Sequence, residues 1–369
     1  MDPIRILVVD DSVVTRRVLS DTLAEDRTLE VVGVASDGRI ALAKIPLLKP
    51  DLITLDLEMP VMNGLETLEQ LRRSYPQLPV IIFCALTDRG AARALDALAL
   101  GASDYATKPS NPTPAAAIEH IRSELIPKIK ALCPVASQEV TPLPRPRSAS
   151  KVRDRRKWRI DVVAIGTSTG GPSALGKVLP RIPNNFPVPI VVVQHMPPTF
   201  TRQLAERLSS CSAIRVEEGY ADAPLSPGQA WIAPGDFHMK VSRKGANWRL
   251  NLDQGPKVNS CRPAVDVLFR SVAVAYGANV LGVVMTGMGT DGVLGAQEIR
   301  DAGGDVIIQD HASAVVWGMP GAVHSLGLAD GTYPLDQLAA EITRRVRQSR
   351  GPSVPVEVGS RSSLEPSAK

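Results

Sequence analysis

Apolar positions along the chain fall into two separate series of short runs. From residue 4 to 130 the β-branched stretches IRILVVD (4–10), LEVVGVA (29–35), LITLD (52–56) and PVIIFCA (79–85) alternate with helically spaced segments such as SVVTRRVLSDTLAE (12–25). Continuous apolar strands between helices imply a parallel sheet covered on both faces. A fifth short strand, YATK at 105–108, precedes Pro109 and a last helix that fades near Lys130. A second series opens at Asp161 with DVVAIG (161–166), PIVVVQH (189–195), QAWIAP (229–234), VLGVVMTG (280–287) and DVIIQD (305–310). Helical spacing returns between them, as in AVDVLFRSVAVAYG before Asn279. The periodicity lapses between the two series, where Pro134, Pro142, Pro144 and Pro146 are followed by the basic run KVRDRRKWR. Such a stretch reads as an extended, solvated tether. The chain therefore divides into a domain at 1–130, a linker at 131–158, a second domain at 159–348 and a polar, disordered tail at 349–369.

Composition narrows the class. With 369 residues, 44% hydrophobic and 22% charged, the chain suits two globular domains. Its net charge of +4 is small and owes much to the linker, so nucleic acid is not implied as a partner. Cys84, Cys133, Cys211 and Cys261 are widely spaced and form no CxxC pair, which argues against a disulfide frame or zinc site. The start MDPIRILVVDDS has no signal pattern, and no apolar run is long enough to span a bilayer. The expected setting is the cytoplasm, without membrane insertion.

In an open parallel sheet, ligands gather outside the carboxyl ends of the strands. Asp10 and Asp11 end the first predicted strand, Asp56 the third and Lys108 the fifth. Any one acid alone is explained as a solvated helix cap, and Asp11-Ser12 could cap the helix that follows. The set of four points further. Converging carboxylates repel unless a cation sits among them, and hard oxygen ligands suit Mg²⁺. A lysine opposite would hold a phosphoryl oxygen.

The second domain opens with AIGTSTGGPSAL, a glycine-rich loop after a strand. A phosphate loop fails there because GPSALGKV places Val178 where a hydroxyl is needed. A dinucleotide turn fails because Ser168 replaces the glycine that admits a pyrophosphate. The GxGxxG pattern does occur at Gly287–Gly292 (GMGTDG), with Asp310 near the spacing of a ribose acid, so a dinucleotide enzyme is an alternative. The third reading is a nucleophile, since Gly166-Thr167-Ser168-Thr169-Gly170 fits GxSxG. A serine needs a base and an orienting acid. Spacing leaves His195 and His311 open as the base, and Asp291 and Asp310 as the acid. His120, His238 and His324 suit structural roles.

Two resemblances bear on these choices. VVDDS, LDLEMPVMNGLE and GASDYATKP resemble the signature segments of response-regulator receiver domains over residues 4–130. That resemblance implies Asp56 as the phospho-acceptor, Mg²⁺ held by Asp10, Asp11, Asp56 and the Glu58 carbonyl, and phosphate contact by Lys108. It further implies a cis Lys108-Pro109 bond and Tyr105 as a switch aromatic. Cys84 departs from the usual Ser or Thr after the fourth strand, and a thiol is the weaker donor. GTSTGG, VVQHM, CRPAVDVLF and MTGMGTDG resemble segments of the chemotaxis protein-glutamate methylesterases, the CheB family, over about 160–346.

The second resemblance implies Ser168 as nucleophile, His195 as base, Asp291 as its orienter and the Met288 N–H in the oxyanion hole, with no cofactor for the ester chemistry. The implied activity is demethylation of glutamate methyl esters on methyl-accepting chemotaxis receptors, with glutamine deamidation by the same acyl chemistry. The fold class is α/β, two doubly wound parallel-sheet domains, flavodoxin-like and Rossmann-like. A receiver-linked transcription factor is the other alternative. It expects a small helical output with a basic recognition helix, whereas residues 160–346 are long, strand-rich and not concentrated in Lys or Arg.

Overall fold

The computed structural model describes residues 2–109, 113–133 and 159–350, so most of the expected linker and tail lies outside the described residues. The first sheet holds β1 (Ile4–Val9), β2 (Leu29–Ala35), β3 (Leu52–Leu55), β4 (Val80–Cys84) and β5 (Asp104–Thr107) in the order β2-β1-β3-β4-β5. Every pairing is parallel. β3 and β4 are buried along their whole length, as their largely apolar runs LITL and VIIFC require, and the more polar β5 (DYAT) is buried beside β4.

The second sheet orders β6 (Val162–Thr167), β7 (Ile190–Gln194), β8 (Arg215–Glu218), β9 (Gln229–Ile232), β12 (Val280–Val284), β13 (Asp305–Gln309) and β14 (Gly331–Tyr333) as β14-β13-β12-β6-β7-β9-β8. It too is parallel throughout. An antiparallel hairpin, β10 (His238–Lys244) with β11 (Asn247–Asp253), stands apart from this sheet. The apolar pattern did not reveal it, because its outer residues are exposed and polar.

Both sheets reverse winding direction at their centre, between β1 and β3 in the first and between β6 and β12 in the second. Loops leaving adjacent strands in opposite directions open a crevice at that point. The carboxylate cluster and the glycine loops of the sequence fall on these two crevices. Gly166 owes its place to packing: a Cβ there would lie 2.4 Å from Val265 Cγ1, on the helix Val265–Tyr276 that covers β6.

The two units touch through the helix Asp88–Ala99 of the first and the helices Gly171–Val178 and Pro198–Cys211 of the second. Tyr105 stacks on Phe200 with ring centroids 4.4 Å apart. Ser173 Oγ donates to the Leu98 carbonyl at 2.9 Å, Arg202 pairs with Asp88 at 2.5 Å, and Arg207 pairs with Asp96. One second-unit helix starts three residues beyond Ser168 and the other three beyond His195.

Candidate functional site

At the first crevice, Asp10 and Asp56 are buried and Asp11 is exposed. Lys108 Nζ bridges Asp10 Oδ2 at 2.9 Å and Asp56 Oδ2 at 2.8 Å. Burial raises the Asp56 carboxyl above its ordinary range, against the opposing pull of Lys108. Asp56 Oδ1 accepts from the Leu57 amide at 2.8 Å, which leaves Oδ2 turned toward the lysine. One carboxylate oxygen from each of Asp10, Asp11 and Asp56 lies within 4.8 Å of the others, so this all-oxygen set fits a hard divalent cation. A cleft of about 250 Å³ adjoins it, lined in part by Asp11, Asp56, Cys84, Thr87 and Lys108.

Ser12 caps the helix Val13–Ala24 by accepting from Thr15 N, so the capping role falls to the serine and leaves Asp11 free for the cluster. Thr87 is likewise a cap, accepting from Gly90 N at 3.0 Å, and does not replace the missing hydroxyl at Cys84. The Cys84 thiol is pushed up to about 12 by burial and turns toward the Ala106 carbonyl. One expectation is corrected here. Lys108-Pro109 is trans, and Arg262-Pro263 is the cis bond among the described residues. The trans form is the ordinary X-Pro preference by about 0.5–1 kcal/mol.

At the second crevice, register brings the candidate residues to one edge. Thr167 pairs with Gln194 across β6 and β7, so Ser168 and His195 leave neighbouring strands side by side. Gly166 pairs with Val284 across β6 and β12, which sends the Gly287–Gly292 loop over the same edge. Spacing left two histidines and two acids open. In the structure His195 Nε2 lies 2.7 Å from Asp291 Oδ2, whereas Asp310 accepts from Ser313 N and Oγ, and His311 is exposed beside Trp317.

Asp291 is buried and its carboxylate is saturated. Oδ2 also accepts from Val265 N at 2.6 Å, while Oδ1 accepts from Asn259 Nδ2 at 2.8 Å, Asp266 N at 3.0 Å and Gly292 N at 3.0 Å. Burial favours protonation of Asp291, but His195 and these amides hold its carboxyl below the ordinary range. His195 responds in the other sense. Burial disfavours its charge, yet Asp291 on one nitrogen and Cys261 on the other push its pKa up to about 9. Asp291 accepts, so in the neutral ring Nε2 carries the proton and Nδ1 holds the lone pair.

Gln194, also buried, braces the pair by donating to the carbonyls of Ser168 at 2.9 Å and His195 at 3.1 Å. Gly287 lies against the serine, since a Cβ there would stand 2.9 Å from Ser168 Cβ. The next amide, Met288 N–H, has no hydrogen-bond partner among the described residues. Ser168 Oγ itself makes no hydrogen bond to His195 in this structure. Asn259, Asp266, Gln194 and Cys261 had no individual role in the sequence reading. CRPAVDVLF held the available signal, because the amides of Val265 and Asp266 open a helix directly onto Asp291.

Residues 163–342 match the family described as CheB methylesterase, and residues 6–118 match the response regulator receiver domain. The chain is 53% identical to a protein-glutamate methylesterase/protein-glutamine glutaminase of Trichodesmium erythraeum (strain IMS101), over 94% of this chain and all of that one. It is 47% identical to a protein of the same description from a Nocardioides species, over 96% of this chain and 99% of the other. The crystal structure of the Thermotoga maritima CheB methylesterase catalytic domain is similar at 42% identity and a TM-score of 0.50, covering 51% of this chain and 99% of that one.

Proposed function

Since the chain belongs to the CheB methylesterase family and carries a response regulator receiver domain, we propose that it hydrolyses glutamate methyl esters on methyl-accepting chemotaxis receptors in the cytoplasm, releasing methanol. Receptor glutamines would be deamidated by the same chemistry, as the description of its relatives suggests. The domain division at 1–130, 131–158, 159–348 and 349–369 belongs to this reading. The observation that carries it is the Asp291–His195 pair at the strand edge that also bears Ser168. It is tested by methanol release from methylated receptor membranes.

In the proposed mechanism Asp291 fixes Nε2–H, and Nδ1 takes the proton of Ser168 as Oγ adds to the ester carbon. Catalytic hydrogen bonds commonly tighten only with substrate bound, so the free enzyme's open Ser168 is compatible with this step. The oxyanion is met by the Met288 N–H beside the serine. Protonated Nδ1 then returns its proton to departing methanol, and water attacks the acyl-serine by the same route in reverse. A base must be neutral, and His195 is protonated below about pH 9. Accordingly kcat/KM should rise roughly tenfold per pH unit toward a plateau near pH 9. A flat profile from neutral pH upward would exclude His195 as the base.

The receiver supplies regulation in this reading. Asp56 is the phosphoryl acceptor from the chemotaxis histidine kinase, Lys108 contacts the phosphoryl oxygens, and Asp10, Asp11 and Asp56 are the residues that would hold Mg²⁺. The ion would neutralise charge on the phosphoryl group and the crowded carboxylates. Helix Asp88–Ala99 and Tyr105 press on the two helices that spring from Ser168 and His195, so the docked receiver restrains the site until phosphorylation loosens it. Arg207→Glu reverses one contact with Asp96. Exposed ion pairs are worth about 0.2–1 kcal/mol, so methanol release without a phosphoryl donor should rise about 1.4- to fivefold. The further stimulation by acetyl phosphate should shrink to match, and Asp56→Asn should abolish it. Unchanged basal release in Arg207→Glu would remove this contact from the restraint.

A further inference from the structure

The free nitrogen of the His195 ring faces a thiol. With Nε2 committed to Asp291 at 2.7 Å, Nδ1 stands 3.5 Å from Cys261 Sγ. Carboxylate, imidazole and thiol thus form a relay of the kind that activates cysteine nucleophiles by proton transfer to the ring. The thiol is half-buried, which leaves a side for an acyl group to approach. Its position is fixed on both flanks. Cys261 exchanges two backbone hydrogen bonds with Val258, at 2.9 and 3.1 Å. Arg262 is anchored on Asp236 Oδ1 and on the carbonyls of Gln254 and Gly255.

The other cysteines lack this setting. Cys84 is buried under the first sheet's edge, Cys133 points to the Asp51 carbonyl, and Cys211 bonds only its own helix at Leu208. Among the described residues Cys261 is the cysteine with an imidazole partner.

We propose that Cys261 is a second nucleophile of this site, sharing His195 and Asp291 with Ser168 and accepting the acyl group of γ-glutamyl esters and amides as a thioester. The inference rests on the acyl-transfer reading of His195 and Asp291 given above. In the step, the thiol proton passes to Nδ1 and Sγ adds to the side-chain carbonyl carbon. The C–O or C–N bond breaks as Nδ1–H protonates the leaving methanol or ammonia. Water then gives its proton to Nδ1 and adds to the thioester carbonyl. The C–S bond breaks, and the thiol regains its proton from the ring. The sum is ester or amide plus water giving carboxylic acid plus methanol or ammonia, with no oxidant or reductant. One ring serves one nucleophile at a time, and in the free enzyme it is engaged with sulfur.

The test uses the full chain with Ser168→Ala, p-nitrophenyl acetate as acyl donor, and peptide mass spectrometry after acid quench. One acetyl group should appear on Cys261, formed at least about tenfold faster than on exposed Cys211, the internal control. Labelling should fall to the Cys211 rate when His195→Gln is added, a change that retains a donor toward Asp291. Iodoacetamide should show the same order of rates, Cys261 above Cys211, with the same dependence on His195. Cys261 labelled no faster than Cys211, or labelling indifferent to His195→Gln, overturns the proposal and leaves the thiol as packing beside the ring. Methanol release by the wild-type chain is read separately, so failure of the thiol proposal and failure of the esterase reading are distinguishable.

Discussion

Asp291→Asn is expected to lower methanol release by about 10⁴-fold while leaving the protein folded but weakened. The carboxylate accepts from His195 Nε2, Asn259 Nδ2 and three backbone amides. A side-chain amide has one accepting oxygen, so whichever way the substituted group turned, its NH₂ would meet two or three donors. A buried donor left without an acceptor costs roughly 1–3 kcal/mol. The chemical loss has a separate origin. Without an acceptor on Nε2, the ring is free to take the other tautomer, in which Nδ1 no longer offers the lone pair that the proposed mechanism requires. The ring pKa should also fall from about 9, because the charge that sustains the imidazolium is gone. Turnover against pH and urea unfolding check the two effects independently. Near-wild-type turnover in Asp291→Asn would move the orienting role elsewhere.

Features made by continuous apolar strands were legible in the sequence. IRILVVD, LITLD, DVVAIG and VLGVVMTG carry their own burial, and strand ends at a winding reversal bring their next residues together. That is how Asp10 and Asp56 could be singled out from order, and Ser168 from its glycine-flanked loop at a strand end, whereas order left Asp291 open against Asp310. The choice between His195 and His311 was not legible from spacing, because both follow apolar strands. Only strand order separates them: β7 flanks β6, whereas β13 lies beyond β12.

Features made by exposed or distant residues were also hidden. The hairpin MKVSRKGANWRLNLD alternates weakly and pairs with itself rather than with the main sheet. Cys261 lies 66 residues from His195 in the chain, on a loop where Asn259 and Ser260 both adopt positive φ. No spacing rule links such a loop to a strand end. The stack of Tyr105 on Phe200 joins two units across the tether, a contact that periodicity within either unit does not encode. Asp11-Ser12 shows the opposite case, in which the helix cap and the carboxylate cluster are both present and divided between two adjacent residues.

The largest effect is expected at Ser168. In the proposed mechanism, removing Oγ takes away the atom that becomes covalently bound, and the Met288 amide with the Asp291–His195 pair then has no acyl-serine to form or resolve. In serine hydrolases such losses reach about 10⁶-fold, with residual catalysis over water coming from the oxyanion hole and binding. Because a thiol stands beside the same ring, the comparison is cleanest without it. The decisive measurement is methanol release from methylated receptor membranes by Cys261→Ala and by Ser168→Ala/Cys261→Ala at equal, folded concentration. A fall of about 10³-fold or more on loss of the serine is the predicted result. Release within about tenfold of the serine-containing protein would contradict Ser168 as the nucleophile, and with it the proposed mechanism.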